Sequence, residues 1–580
     1  MSSLNSFNNG LDSEQLEQNS VKSSLVNTLK SVTVKPFGGV GDWDKVSLTG
    51  SCTRVRIARE WSKPIYILID FWIHQWWDES TSIEMNSRLD FNPKKIDWVI
   101  LTHAHLDHIG RLPMLVWDDS RSFDWSIFAN NVTAALTRIS LEDSAKIMEE
   151  NYNAAQSRIT RLRSMLNRQL SELRDLELAL DNWFKKKVKK SRIKKISEIR
   201  SSSSKSQIEE RISEIKTLLE EYWINENSDI ADVFSWKLKN LEAKVLYSIE
   251  DVYKIYSKIV KTPMYKRKEI FPWVYLRFFD AAHIIGSCQV VLEIDKWDWT
   301  TFNMWFSWDV WRFFDPWFLW QPDVPNIPLN YYQIESTYWN RLHSNKKEDR
   351  DKLVSKINNL RARWWKVVIP CFMIQRLQDL AMVLIEMMES WEIPKMPIYY
   401  DWAYIDRIND IFLNSDNENY KNLASKYLVP VQESETDSNK FLSANWPCIL
   451  LSPSWMMHWW SVTKYVKPVL SDPNNALFFV WYQAEWTTWR KILEWLKSFD
   501  LPWVWYVDIK SQIESFWSFS WHWDQDDLVF LMSELWLRTQ SNVFVNHWDK
   551  GSSQDALIEA LSQNWINSKP FELWKTYKVY

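Results

Sequence analysis

Glycine is scarce in this sequence: its 580 residues include only 8 glycines, against 41 tryptophans. Soluble proteins carry about 7% glycine, and tryptophan and glycine together make up about 8% of this chain. Glycine serves turns because it lacks a Cβ and adopts positive φ easily, which tryptophan does not. We predict that most of the tryptophans are glycines in the living protein, encoded by UGA codons that its host reads as glycine. The alternative is a genuinely tryptophan-rich protein, with indoles as core or sugar-stacking platforms.

Three further absences exclude whole classes of protein. The net charge is only −4, so any nucleic-acid site must be a local patch. The four cysteines are widely spaced and form no CxxC pair, which fits reduced thiols better than a disulfide framework. No apolar run approaches the roughly 20 residues of a membrane span, and residues 1–30 lack the apolar segment of a signal peptide. We therefore expect a soluble cytoplasmic protein with a disordered N-terminal tail.

The order of sequence patterns predicts an α/β protein in which one domain is interrupted by another. Short β-branched runs alternate with turn signals from about residue 32, and sheet-like patterning returns at 273–294. Helical segments then alternate with strand-like runs such as VVIP and CILLS. The predicted boundaries are a tail at 1–30, a first domain at 31–145, a helical insertion at 146–270, the first domain again at 271–344, a second α/β domain at 345–510 and a return at 511–580.

The insertion has the repeat of packed helices. Leucines and isoleucines recur every three or four residues up to Leu180, and the same spacing returns from Ile208 to Tyr222. A basic, Ser-rich connector, 185–205, joins the two segments, so we predict an antiparallel helical hairpin. The run FKKKVKKSRIKK is either a phosphate-binding patch or a solvated tip, and the sequence leaves both open.

A histidine-rich loop follows a predicted strand. The segment LTHAHLDHIG places His103, His105, Asp107 and His108 within six residues. Alternate side chains of a tight loop face one ion, while their neighbours reach a second one nearby. Imidazole and carboxylate ligands suit Zn²⁺ or a similar metal. The sequence therefore predicts a metal centre here.

This H-x-H-x-D-H motif resembles that of the metallo-β-lactamase superfamily. The remaining pieces occur in the order typical of the family: Asp70 ends the strand YILID before this motif, and His283 in DAAHIIGS and Asp309 in FSWDVW follow it. The last segment is similar to F-S-G-D-x-G when its tryptophans are taken as glycine. The resemblance implies an αββα sandwich in which Asp309 bridges two metal ions.

Later motifs resemble the β-CASP nucleases, in particular the relatives of the pre-mRNA 3′-end cleavage endonuclease and RNase J. IESTYWN is similar to motif A and supplies Glu335, SFSWHWDQ to motif B with His522, and VFVNHWDK to motif C with His547. Segments similar to other family motifs suggest substrate contacts for Ser336, Arg376, Ser454 and His458. Gln375 departs from the family, which commonly has glycine at this position.

The resemblance implies two Zn²⁺ per chain. Besides Asp309, the expected ligands are His103, His105 and His283 for one ion, and Asp107, His108 and His547 for the other. Asp70 is expected to orient a ligand or the attacking water. His522 is expected to protonate the leaving oxygen, with Glu335 holding its imidazole.

We therefore expect a metallo-β-lactamase sandwich with an inserted β-CASP α/β domain, acting as a zinc-dependent ribonuclease of endo- or 5′-exonuclease type. Histidine at motif C argues against the alternative of a DNA nuclease. A small-molecule hydrolase leaves the motifs between 335 and 547 unexplained. An inactive RNA-processing scaffold is the third alternative, although every ligand is present. RNA is the expected partner, the resemblance suggests a homodimer, and RNA or a protein is expected to bind the hairpin.

Overall fold

In the computed structural model of the chain, the described residues are 28–41, 47–60, 62–73, 85–89, 91–116, 123–180, 194–199, 203–221, 245–310, 321–336, 346–360, 365–400, 403–413, 418–431, 439–453, 460–480, 488–494, 496–501, 505–516, 525–536, 542–546 and 553–580.

The first part of the chain builds most of one seven-stranded sheet. The first three strands pair antiparallel, and the following ones add in parallel. The elements are β1 (Leu29–Gly41), β2 (Ser47–Arg59), β3 (Ile65–Ile69), β4 (Trp98–Ile100), α1 (Leu106–Ile109), β5 (Ile127–Ala129), α2 (Asn131–Leu180), α3 (Lys205–Glu221), α4 (Ile249–Tyr256) and β6 (Ile259–Lys261).

The second seven-stranded sheet begins directly after the first. Its first four strands form an antiparallel meander, and the fifth pairs in parallel. These strands are β7 (Lys268–Phe271), β8 (Val274–Asp280), β9 (Cys288–Asp295), β10 (Thr301–Phe306) and β11 (Tyr331–Glu335).

A third sheet follows, with six strands that all pair in parallel. The elements of this region are α5 (Lys346–Leu360), β12 (Lys366–Cys371), α6 (Arg376–Glu389), β13 (Ile398–Tyr400), α7 (Ala403–Leu413), α8 (Glu418–Tyr427), β14 (Leu428–Pro430), α9 (Lys440–Ser443), β15 (Cys448–Pro453), α10 (Trp460–Leu470), β16 (Ala476–Phe479), α11 (Thr488–Glu494), β17 (Ser498–Leu501), β18 (Trp505–Asp508) and β19 (Gln512–Ser515).

The chain then returns to both earlier sheets. Strand β20 pairs with β11, β21 pairs with β20, and β22 pairs with β1. The returning elements are α12 (Gln525–Trp536), β20 (Asn542–Asn546), α13 (Ser553–Gln563), β21 (Ser568–Pro570) and β22 (Tyr577–Lys578).

The first two sheets pack face to face because alternate residues of their strands are apolar. Residues such as Val34 and Ile57 of one sheet share a buried cluster with Leu276 and Val290 of the other. The outer face of the second sheet is covered by α12 and α13 through a separate buried cluster. The parallel sheet is buried on both faces, with Val367 in one cluster and Val368 in another. The predicted α/β class is confirmed.

The helical insertion differs from the predicted antiparallel hairpin. The described chain divides into two compact units, of which the second comprises 76–89 and 144–250. Within that unit, Arg211 pairs with Glu172 and Lys216 with Glu177. From the first pair to the second, the residue number increases by five on each helix, so α3 runs parallel to α2. A further helical segment, 194–199, precedes α3 and contacts α2 through Lys195 and Asp175.

Two predicted boundaries also shift. Strand β6 lies within 146–270 and β7 begins there, so the sheets resume before residue 270. Strand β19 belongs to the parallel sheet, so that sheet extends beyond residue 510. Among the described residues, no helix combines the length and the apolar character needed to cross a membrane.

Tryptophan occupies backbone positions that favour glycine. Among the described residues, eleven other than glycine have positive φ, and seven of these are tryptophan. A bulky side chain at positive φ is an outlier. Trp299, Trp565 and Trp391 of this set are also 103%, 90% and 80% exposed, so burial does not compensate for the strain. Trp305, by contrast, is buried in β10 and donates its indole N–H to Gln289 at 2.9 Å.

Candidate metal centre

The histidine loop starts where β4 ends. His103 and His105 lie in extended chain, and the single turn of α1 carries Asp107 and His108. Gly110 follows, where a Cβ would approach Ile73 to 2.4 Å and the Leu106 carbonyl to 2.5 Å. The loop therefore packs too closely there for any larger residue.

Two other strand ends bring ligands to the same place. His283 lies in the turn between β8 and β9, where the Ser287 hydroxyl accepts hydrogen bonds from the His283 and Ile284 amides. Asp309 lies three residues beyond β10. Side chains that are separated by up to 206 positions in the sequence therefore meet at one edge of the sandwich.

The first group of candidate ligands comprises His103, His105, His283 and Asp309. His105 Nδ1 lies 3.1 Å from His103 Nε2 and 3.2 Å from His283 Nε2. Asp309 Oδ2 lies 3.8 Å from His103 Nε2 and 3.5 Å from His283 Nε2. Around a tetrahedral ion with bonds of about 2.0–2.1 Å, ligand atoms stand roughly 3.4 Å apart. The four atoms therefore fit a single metal ion.

A second group shares the same carboxylate. Asp309 Oδ2 lies 3.6 Å from His108 Nε2, which is 4.0 Å from Asp107 Oδ2. These three residues could also hold a metal ion. Asp309 is the only residue common to both groups, so it stands where a carboxylate could bridge two ions.

The charges of the cluster suit cation binding. Burial raises the pKa of Asp309, but the neighbouring His108, His283 and His103 outweigh it and hold that pKa well below its usual range. Burial lowers the pKa of His283, so its imidazole is the neutral form that binds metals. Burial opposes protonation of His108, yet Asp309 and Asp107 raise its pKa well above the usual value. A metal ion that binds His108 would therefore have to displace a proton.

Asp70 acts on the cluster through His108. It is fully buried at the end of β3, and its Oδ2 lies 2.8 Å from His108 Nδ1. Its carboxylate also accepts hydrogen bonds from the Thr102 amide at 2.9 Å and the Thr102 hydroxyl at 2.7 Å. The imidazole therefore keeps Nε2 free to face Asp309. The structure places Asp70 beside a candidate ligand, and its orienting role stays a prediction.

Replacing Asp70 by asparagine is expected to weaken metal binding about 10–100-fold, the usual effect of losing a partner that orients a ligand. Competition with a chelator measures the affinity. Asp97→Asn is the matched control, because that carboxylate accepts the Tyr66 amide at 2.7 Å and no hydrogen bond of the cluster. Equal affinities of the Asp70 and Asp97 variants would contradict the assigned role.

Glu335 and Ser336 stand behind Asp309. Glu335 Oε1 accepts a hydrogen bond from the Val310 amide at 2.8 Å, which fixes the turn that carries Asp309. The Ser336 hydroxyl is buried and donates to the Asn546 carbonyl at 3.3 Å. This contact ties β11 to the end of β20. Substrate binding by Ser336 stays a prediction.

Arg376 and Phe372 approach the cluster from the parallel sheet. Arg376 begins α6 and is only 4% exposed, and its charge lowers the pKa of His283. The Phe372 ring lies 6.1 Å from the His105 ring. The predicted substrate residue Arg376 is therefore near the ligands. His522, His547, Ser454 and His458 lie outside the described residues.

Sequence reasoning missed two residues that organise the site. Thr102 joins Asp70 to the histidine loop, and its hydroxyl also lies 3.1 Å from His103 Nδ1. Ser287 fixes the His283 turn. Thr102 stands directly before the ligand motif, so its position was a usable signal. Ser287 offered none, because a serine after a glycine is common in any turn.

Comparison with known proteins finds two family profiles and several relatives that match this chain. The metallo-beta-lactamase superfamily profile matches residues 70–116, and the Beta-Casp domain profile matches residues 377–492. The RNase J-like protein of Methanocaldococcus jannaschii is 27% identical over 57% of this chain and 74% of its own. Ribonuclease TTHA0252 of Thermus thermophilus is 21% identical over 83% of this chain and 88% of its own.

A third relative is matched over less of its length. Transcription termination factor FttA of Cenarchaeum symbiosum is 25% identical over 54% of this chain, which spans half of that protein. One profile covers the histidine loop, and the other begins directly after Arg376 and covers most of the parallel-sheet region. The chain thus carries one segment that matches the metallo-beta-lactamase superfamily and another that matches the Beta-Casp domain.

Proposed function

We propose that this chain is a ribonuclease that hydrolyses RNA phosphodiester bonds with two zinc ions per chain. The observation that carries the proposal is the pair of ligand groups that share Asp309. Imidazole and carboxylate ligands, with one group of four atoms at tetrahedral spacing, favour zinc. The names of the RNase J-like protein and of the Thermus ribonuclease support RNA as substrate.

When bound, two such cations supply a water of lowered pKa and stabilise the charge on a reacting phosphodiester. The residues of the chain divide the other tasks. Asp70 holds the His108 imidazole, and Glu335 holds the Asp309 turn. Arg376 offers a fixed positive charge for a phosphate beside His283. The proposal also includes His547 as a further metal ligand and His522 as the proton donor. These two roles are supported by the motif resemblance.

The wider setting extends the proposal. We place the enzyme in the cytoplasm, since all four cysteines are buried thiols. We keep the predicted division into a sandwich domain, a β-CASP domain and a helical insertion, with the boundaries corrected as above. A homodimer and an RNA- or protein-binding role of the insertion are supported by the resemblance and by its basic run alone.

The test is cleavage of a labelled RNA and its matched DNA by zinc-loaded protein that carries glycine at the tryptophan positions encoded by UGA. We expect the RNA to be cut and the DNA spared, and the product ladder separates endonuclease from 5′-exonuclease action. Asp309→Asn protein from the same preparation controls for contaminating nucleases. Equal cleavage of DNA would support a DNA nuclease. A folded, zinc-loaded protein that cuts neither would support a scaffold.

A further inference from the structure

Gln375 adopts a backbone conformation that is strained for any residue with a side chain. Its φ is 68° and its ψ is −49°, directly before α6. The Arg376 amide donates to the Ile374 carbonyl at 2.8 Å, so the three residues form a tight γ-turn with positive φ at its centre. Glycine would meet this backbone without strain. The glutamine side chain therefore needs a reason to be there.

That side chain joins the two domains. It is 7% exposed, and its Oε1 accepts the Ile285 amide at 2.9 Å, 90 positions earlier in the chain. Its Nε2 donates to Asp379 Oδ1 at 2.7 Å. An amide is required, because one partner only donates and the other, as a carboxylate, accepts. Neither glycine nor glutamate can make both bonds.

The two bonds connect elements that matter for the site. Ile285 lies two residues beyond the ligand His283, and Asp379 lies on the first turn of α6, next to Arg376. Ala282, on the other side of His283, packs into the same buried cluster as Leu377 of α6. The His283 turn is therefore held by the parallel-sheet domain as well as by its own strands.

We propose that Gln375 is a positioning residue whose amide clamps the His283 turn to α6 and thereby sets the separation between His283 and the Arg376 guanidinium. Reaction at the metal ions and capture of the RNA backbone then occur at a fixed spacing. The inference rests on the proposed function, because it assigns Arg376 to the RNA.

The test compares two substrates in the glycine-bearing, zinc-loaded chain: a labelled RNA and the small diester bis(p-nitrophenyl) phosphate. Gln375→Gly is expected to raise KM for RNA about tenfold, the effect of misplacing one bond to a charged group. Its kinetics on the small diester are expected to stay within about twofold. Glycine relieves the positive φ, so the unfolding midpoint should not fall enough to explain the loss.

Two further variants separate positioning from simple stability. Gln375→Glu keeps the size of the side chain but loses the donor to Asp379, and is expected to show the same rise in KM. Tyr265→Gly removes another side chain at positive φ, from a 54% exposed residue, and should leave the KM for RNA unchanged.

A double-mutant cycle completes the test. If Gln375 acts through Arg376, then Gln375→Gly adds little to the KM already raised by Arg376→Ala. Three outcomes would overturn the inference and leave the proposed function intact. They are independent multiplication of the two effects on KM, equal losses of activity on both substrates, and an unchanged KM for RNA. An unsubstituted chain that cleaves neither substrate would contradict the proposed function and the inference with it.

Discussion

Replacing Asp309 by asparagine is expected to lower RNA cleavage by about 10²–10⁴-fold, since removing several kcal/mol of charge stabilisation costs a factor of ten for each 1.4 kcal/mol. The reason is that Asp309 Oδ2 belongs to both ligand groups. Asparagine keeps the shape of the side chain but removes the charge that offsets two cations. The zinc content, measured by elemental analysis, is expected to fall together with kcat.

The control for this experiment is Asp298→Asn. Asp298 is a fully exposed aspartate in the turn between β9 and β10, and it contacts only its own turn among the bonds described. This variant should keep both zinc and activity. An Asp309 variant that loses zinc but cuts RNA at the original rate would show that the cleavage does not use this centre.

Replacing the seven tryptophans with positive φ by glycine is expected to stabilise the protein by an amount comparable to its entire folding free energy. Each such residue costs about 1–2 kcal/mol, or about 7–14 kcal/mol for seven, whereas domains are typically stable by about 5–15 kcal/mol. The chain with tryptophan at these positions is therefore expected to unfold at much lower denaturant. Denaturant titration of both chains measures the difference.

At Trp308, replacement by glycine is expected to affect activity as well as stability. Its φ is 45°, and its indole N–H is buried without a hydrogen-bond partner among the described residues. Trp308 directly precedes Asp309 in the chain, and its ring lies 6.1 Å from the ring of His108. Glycine at this position removes the buried unpaired donor and opens space beside the ligands.

Trp305 is the matched control, because it lies in a strand, is fully buried and has its N–H satisfied. Trp305→Gly is expected to destabilise the protein by about 3–5 kcal/mol, because it removes core packing and relieves neither a positive φ nor an unpaired donor. The gene and the natural protein check the same point. Codons 297, 299 and 308 should be UGA and codon 305 UGG, and the tryptic peptide 297–312 of the natural protein should contain glycine and tryptophan accordingly. Tryptophan at all four positions would refute the codon explanation.

The sequence predicted the fold class because its patterns are local. Period-two apolar runs, the helical repeat of the insertion and the alternation of helix and strand after residue 345 each follow from a few neighbouring residues. The direction in which α3 runs is not a local property. It depends on where the connector turns back, and the heptad spacing is the same for parallel and antiparallel partners.

The candidate site shows the same division. The spacing of His103, His105, Asp107 and His108 lies within one loop, and the motifs around Asp70, His283 and Asp309 are short enough to recognise one by one. The sequence by itself therefore determined which residues are candidates for metal binding and that they belong to a metallo-β-lactamase sandwich with a β-CASP domain.

Only the tertiary structure decided how these residues meet. It placed Asp309 Oδ2 between two ligand groups, gave Glu335 a bond to the Val310 amide, and joined Gln375 to Ile285 across two domains. Such contacts depend on strand order, register and domain packing. They join residues that are far apart in the sequence, and the sequence separation of two residues does not indicate their distance in space.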